Sequence, residues 1–284
     1  MEGKNKSIQE VLRINRDGEL EYLTFPALSE IPFVKHLFTT RLGGVSEGIF
    51  ATMNLSYTRG DEREAVDENY RRIGQVLGCE LSHMVLSHQT HTTNIRRITR
   101  EDCGKGITRE LDYENIDGMI TNVPGIMLVT FYADCVPLYF VDTEHRAIGL
   151  SHSGWKGTVN RMGAHTLQEM KKAYGTDPEK VVAAIGPSIC QSCYEVSEDV
   201  IQEFRAAFPD KDLQNRLYER KENGKYQLDL WEANREILLR AGVPDNHISV
   251  TDICTCCNPT YLFSHRASHG KRGNLAAFLG MCET

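Results

Sequence analysis

The chain has 284 residues, 40% hydrophobic, 8% aromatic and 25% charged, which is globular content sufficient for a sizeable core. Its 32 Lys and Arg stand against 39 Asp and Glu, and the resulting net charge of −7 excludes a global cationic field able to collect nucleic acid or an anionic membrane. The first 25 residues lack the apolar core of a signal peptide and no later run reaches the roughly 18 apolar residues of a membrane span, so a cytoplasmic protein is expected, its nine cysteines being reduced thiols or metal ligands rather than a disulfide framework.

No linker or fixed-period repeat interrupts the sequence, and one catalytic domain over 1–284 is expected, with 1–30 as an N-terminal extension or edge strand. Residues 20–25 read as that edge strand, leading into Pro26, and 33–40 as another strand. Val66, Tyr70, Ile73 and Leu77 recur at helical spacing before the stop signal Gly78. Strands are expected at 84–86, 126–132, 138–141 and 147–150, and a helix at 161–174 ending on Gly175. Beyond them come a strand at 181–185, helices at 197–208 and 230–241, and a strand at 248–250. Strands and helices mix without strict alternation, so the class is α+β, with helices covering one or more sheets.

Chemistry concentrates where polar groups adjoin buried strands. Cys135 lies in Ala133-Asp134-Cys135-Val136-Pro137, and His152 in Ser151-His152-Ser153-Gly154-Trp155. A third donor stands in Ser87-His88-Gln89-Thr90-His91, where either His88 or His91 suits. Two imidazoles and a thiolate make an open zinc set, with a fourth position left for water or substrate. The plain alternative is a small buried cysteine and a loop histidine bonded to backbone. Cys190 and Cys193, with Cys254, Cys256 and Cys257, offer a structural zinc clasp, but their separation in sequence favours reduced bystander thiols. Arg41-Leu42-Gly43-Gly44 reads equally as an anion-holding turn or as a plain turn with a solvated arginine. Asp117-Gly118 reads as a turn, and 263–273, rich in Arg, Lys and His, as either a local phosphate site or a surface loop.

Taken together, the chain resembles the bacterial family once labelled laccase-domain or polyphenol oxidase proteins and now associated with zinc-dependent purine nucleoside phosphorylase activity. The resemblance spans about residues 38–281. It rests on Thr40-Arg41-Leu42-Gly43-Gly44-Val45-Ser46, Met53-Asn54-Leu55, Gln89-Thr90-His91, Asp117-Gly118-Met119-Ile120, Ala133-Asp134-Cys135-Val136-Pro137, His152-Ser153-Gly154-Trp155, Ile185-Gly186-Pro187, Tyr194-Glu195-Val196 and Phe263-Ser264-His265-Arg266. It implies a layered α/β/β/α sandwich with mixed sheets and a zinc held by His91, Cys135 and His152, which chooses His91 over His88. It also implies phosphate-dependent cleavage of adenosine, inosine or guanosine, with methylthioadenosine phosphorylase and adenosine deaminase activity alongside. For that chemistry Arg41 and Arg266 are expected to hold phosphate or ribose, and Asn54 and Asp134 to orient polar groups. The expected partners are purine nucleosides and phosphate, with no nucleic acid or membrane, and a homo-oligomer is compatible.

Three other readings stand beside it. The same ligands suit a copper-dependent polyphenol oxidase, although the ten histidines include no His-x-His pair. A metal-free cysteine hydrolase with Cys135 as nucleophile and His152 as base would act on a peptidoglycan precursor. The last is a binding protein whose pocket does no chemistry.

Overall fold

The structure, a computed structural model, describes residues 11–282; the first ten residues of the expected N-terminal extension lie outside it. The chain opens with a hairpin of β1 (Arg13–Asp17) and β2 (Leu20–Thr24), followed by the short α1 (Pro26–Ser29) and β3 (Val34–Thr39). The strand expected at 20–25 is present but is not the edge: β1 pairs outside it and takes that position. The helix α2 (Arg63–Leu77) buries Val66, Tyr70, Ile73 and Leu77 along one face, as their spacing requires. Next come β4 (Met84–Leu86), β5 (Ile95–Arg97), β6 (Gly118–Thr121), β7 (Met127–Tyr132), β8 (Val136–Asp142) and β9 (Ala147–Ser153). The helices α3 (Trp155–Val159) and α4 (Met162–Tyr174) lead to β10 (Val181–Ile185), β11 (Glu195–Val196), α5 (Glu198–Ala207) and α6 (Lys211–Leu217). The chain continues through β12 (Tyr218–Arg220), β13 (Tyr226–Leu228), α7 (Leu230–Arg240), β14 (Ile248–Val250) and β15 (Leu275–Met281).

Two six-stranded mixed sheets form the centre, ordered β1-β2-β3-β15-β7-β4 and β14-β10-β8-β9-β6-β5, and a small third sheet runs β11-β13-β12. Most pairs are antiparallel; β4 with β7, β5 with β6 and β10 with β14 are parallel. Because side chains alternate across a strand, β8 sends Leu138 and Phe140 one way and Tyr139 and Val141 the other. The first pair packs under α4, α5 and α7. The second meets Phe38, Leu128 and Leu279 of the opposite sheet. On the far side, Phe278 and Val129 of the first sheet pack against Tyr70 and Ile73 of α2. The layers therefore run helix, sheet, sheet, helices: an α/β/β/α sandwich of the α+β class, as expected. Tyr139 Oη donates to the Leu37 carbonyl at 3.0 Å, tying the two sheets through their buried interface.

The strand β15, absent from the elements expected above, lies fully buried between β3 and β7. Among the described residues, no helix is long and apolar enough to cross a membrane.

Candidate metal centre and its cavity

β8 and β9 pair with Val136 opposite Ser153 and Pro137 opposite His152. Cys135, the residue before β8, and His152, inside β9, therefore meet at one end of the sheet. His152 belongs to a strand and not to a loop, and only 4% of it is exposed. His91 comes from the loop after β4 and adopts a left-handed backbone, φ 65°. Its Nε2 lies 4.0 Å from the Cys135 Sγ, and one ligand atom from each of His91, Cys135 and His152 lies within 4.8 Å of the other two.

Asp117 holds this group together. Fully buried just before β6, it accepts the backbone N–H of His91 and the His152 Nδ1–H on Oδ1, at 3.0 and 2.8 Å. Its Oδ2 accepts the N–H groups of Thr90 and Thr92 at 3.0 and 2.9 Å. The Asp117 carbonyl accepts the His152 N–H at 2.7 Å. Asp117-Gly118 is thus a bracket for two imidazole segments and not merely a turn; an Asp-Gly pair carries no sequence mark of that role.

Burial alone would raise the Asp117 carboxyl, but His152 and the amides of Thr92 and Thr90 outweigh it and hold it well below the usual carboxylate range. Burial likewise opposes the charged forms of Cys135 and His152. The thiol is nonetheless pulled down by the two imidazoles, and His152 is raised by the thiolate and Asp117. The thiolate, which is the ligand form, is favoured before any ion arrives. His152 keeps Nδ1 on Asp117, leaving Nε2 as its donor atom, the arrangement in which a carboxylate orients a ligating imidazole. These three donors fit an open metal site. Gly154 leaves them room, since a Cβ there would stand 3.0 Å from the Cys135 Sγ and 3.1 Å from His91 Cδ2.

All three donors line a cavity of about 680 Å³. Leu86, Ile107, Leu111 and Phe131 supply its apolar wall, and Arg59, Arg63, Arg109 and Arg272 its positive charge. Arg272 is poorly satisfied: its Nε is buried without a partner, while Nη1 donates to the Gly273 carbonyl at 3.2 Å and to Asn274. Burial, then the like charge of Arg59, lowers its pKa to about 10. Arg272 belongs to the basic segment 263–273, for which a local phosphate site was one of two readings, whereas Arg59 sits in no motif. His88 also lines the cavity, but its Nδ1 accepts the Asn115 amide at 3.3 Å and it stands outside the donor group.

The four polar residues expected at the substrate are all hydrogen-bonded within the protein. Arg41 donates to the Ala51 carbonyl from Nε and Nη2 at 2.8 and 2.7 Å, and to the Pro259 carbonyl at 2.7 Å, while lying over the Phe263 ring. Its Gly-Gly turn serves close packing: a Cβ on Gly44 would stand 2.0 Å from the Thr52 carbonyl oxygen. Buried Asn54 accepts the Asn274 and Ser56 amides and donates to Asp61. Asp134 accepts the Thr255 hydroxyl and the Arg266 N–H, each at 2.7 Å, and Arg266 donates to the Cys193 and Glu195 carbonyls. None of the four lines the cavity; each braces a loop that does, or its neighbour. Of the thiols read either as a structural zinc clasp or as reduced bystanders, Cys190, Cys193, Cys254 and Cys257 come together, with Sγ atoms within 4.8 Å of one another.

Residues 35–282 match the family model described as multi-copper polyphenol oxidoreductase laccase. The chain is 37% identical over 246 residues, 86% of its length and 89% of the relative's, to purine nucleoside phosphorylase YlmD of Geobacillus stearothermophilus. It is 32% identical over 249 residues, 87% of its length and 93% of the relative's, to adenosine deaminase RL5 of an unknown prokaryotic organism. Among solved structures, the hypothetical protein YfiH of Bacillus licheniformis superposes with a TM-score of 0.88 at 32% identity, covering 94% of this chain and 98% of that one. YlmD from Geobacillus stearothermophilus superposes with a TM-score of 0.84 at 33% identity, covering 95% and 99%.

Proposed function

We propose a function on the premise that this chain belongs to the family described as multi-copper polyphenol oxidoreductase laccase: it is a purine nucleoside phosphorylase, with adenosine deamination as a second activity of the same cavity. One observation carries the reading. Three metal-compatible donors and a cluster of arginines share a cavity of about 680 Å³, inside the size range of small-molecule sites. Relatives named purine nucleoside phosphorylase and adenosine deaminase support it.

In phosphorolysis a phosphate oxygen bonds to the ribose C1′ as the bond to the base nitrogen breaks, and the departing base takes up a proton. Positive charge grows on the sugar and negative charge on the base. Arg59 and Arg272 are the groups suited to phosphate, since both line the cavity and an anion between them would relieve their mutual repulsion. This assigns to them the role expected of Arg41 and Arg266. The apolar wall takes the flat purine, and the fixed positions of the reacting groups lower the barrier by orientation. Zinc held by His91, Cys135 and His152 would supply a Lewis acid for the leaving base, or an activated water for deamination. Asp117 keeps both imidazole segments in place throughout.

The substrate range is inosine, guanosine and adenosine, with methylthioadenosine as a further candidate. The test is release of free base from adenosine and inosine, with and without phosphate, by protein of known zinc content. Release should depend on phosphate and fall about a hundredfold or more in Cys135→Ala. Arg272→Met should raise the phosphate KM about tenfold or more, the loss of one charge-assisted hydrogen bond. Base release indifferent to phosphate would sink the phosphorylase reading, and ammonia release alone would leave the deaminase.

One geometry favours a second reading: Asp117, His152 and Cys135 stand in the order of a cysteine hydrolase triad. It predicts amide cleavage, for example of a peptidoglycan precursor, by metal-free protein. The copper oxidase reading lacks such support. Among the described residues, the only histidine-bearing group able to share an ion is His91, Cys135 and His152, and a multicopper oxidase needs further imidazoles.

A further inference from the structure

We propose that Cys190, Cys193, Cys254 and Cys257 form a second metal site, a closed set of four thiolates for a structural zinc ion that staples the loop after β10 to the turn after β14. The two pairs each have CxxC spacing, Cys190-Gln191-Ser192-Cys193 and Cys254-Thr255-Cys256-Cys257. Between Cys193 and Cys257 the chain advances 64 positions, which hides the relation in the sequence. The fold removes that distance. β10 and β14 are parallel neighbours, Ala183 opposite Ile248 and Ile185 opposite Val250, so both pairs leave the same end of adjacent strands. A bridge between Ser188 and Cys254 carries the pairing into the loops.

The spacing of the sulfurs suits zinc. Tetrahedral zinc with Zn–S bonds of about 2.3 Å sets its sulfurs about 3.8 Å apart. Cys257 Sγ lies 3.9 Å from that of Cys190 and 3.4 Å from that of Cys193, and all four fall within 4.8 Å of one another. Each is a free cysteine. Cys254, the buried member, accepts two backbone N–H bonds on sulfur, from Cys190 at 3.2 Å and Cys257 at 3.4 Å. Such bonds stabilise a thiolate and orient it toward a cation. A fifth thiol of the segment, Cys256, is not part of the group.

The ion closes a structural circuit behind the cavity. The Cys193 carbonyl accepts from Arg266, whose own N–H is held by Asp134, and Asp134 also accepts the hydroxyl of Thr255, inside the second CxxC. Asp134 immediately precedes Cys135. Stapling the two CxxC loops therefore fixes the backbone from which one side of the candidate catalytic centre is built. The site takes no part in substrate binding; its role is that of a structural zinc, whose binding free energy adds to folding.

The test uses the full chain carrying Cys135→Ala, which removes a ligand of the other centre and makes the result independent of what His91, Cys135 and His152 hold. That protein, purified under reductant, should retain about one zinc ion per chain, with an X-ray absorption first shell of about four sulfurs at about 2.3 Å. Replacing the zinc by cobalt should produce intense thiolate-to-metal absorption, and adding Cys193→Ser or Cys257→Ser should abolish it. If those variants fail to fold, a mercurial titration of the Cys135→Ala chain, followed with a zinc dye, should release the ion in step with blocking of its thiols. A chain without retained metal, a first shell poor in sulfur, a disulfide within the group under reductant, or thiol blocking that frees no zinc would each overturn the proposal.

Discussion

His36 shows how far a single residue's chemistry depends on its surroundings. It lies on β3, 6% exposed, and its Nε2 accepts the Phe25 N–H at 2.8 Å, a bond that needs that nitrogen bare. Burial lowers its pKa from 6.5 to about 4. Above pH 6.5 the ring is neutral in both folded and unfolded chains, and its contribution to stability is intact. As pH falls from 6.5 to about 4 the unfolded chain takes up a proton that the folded one refuses, and about 3 kcal/mol is lost. Urea unfolding at pH 7.5 and 4.5 should show wild type losing more stability than His36→Gln by roughly that amount; equal losses would contradict the assignment. The same dependence on surroundings limited what single residues disclosed in sequence. Cys135, His91 and His152 were legible because thiolate and imidazole are narrow chemical choices in a distinctive set of blocks. Arg41, Asn54, Asp134 and Arg266 are harder to assign from sequence because guanidinium, amide and carboxylate groups serve backbone carbonyls and amides, as these do, as readily as they serve ligands. Of the arginines that do line the cavity, Arg272 lies in the basic segment 263–273 that the sequence marks, and Arg59 sits in no motif.

At the scale of elements, periodicity identified those whose pattern is local. The helix α2 declared itself through four apolar residues on one face, and β7 through a run of large apolar residues interrupted only by Thr130. The strand β15 did not. Leu275-Ala276-Ala277-Phe278-Leu279-Gly280-Met281 has small residues of weak strand preference, and it is extended because β3 and β7 pair with it on both sides. Its side chains still alternate, with Phe278 turned toward α2 beside Tyr70 and Leu279 toward the second sheet. Phe278→Ala should therefore cost about 3–5 kcal/mol, as a fully buried aromatic leaving a cavity in a packed layer. Thermal or denaturant unfolding would read it, and a loss below about 1 kcal/mol would mean that the layer between this sheet and α2 collapses freely. The short β5, β6 and β11 are hidden for a related reason, since each pairs with a strand distant in sequence, while β12 and β13 form a local hairpin of three-residue strands too short to show a period.

For the molecule as a whole, the sandwich class followed from the family resemblance, while composition and element order reached only α+β. What they omitted is the pairing of the sheets. Tyr139 links them by donating to the Leu37 carbonyl, with its ring packed edge-on to Phe25 at 5.5 Å. Tyr139→Phe keeps the ring and removes the bond, so the denaturant midpoint should fall by the equivalent of about 1–2 kcal/mol at an unchanged m-value. A changed m-value would show that the bond governs compactness and not only stability.

The central place of β15 also bears on how the protein is made. Residues 275–281 emerge from the ribosome after every other strand described, yet they fill the gap between β3 and β7 in the first sheet. Until they arrive, β3 and β7 each present an unpaired edge in the middle of the future core, and the hairpin of β1 and β2 has only β3 to lean on. The first sheet cannot close before they emerge. The second needs no such latecomer beyond β14, so it can be complete earlier and receive the first as a finished surface. A nascent chain stalled before residue 275 would accordingly hold exposed strand edges for as long as the stall lasts, and that interval is when it most needs a chaperone.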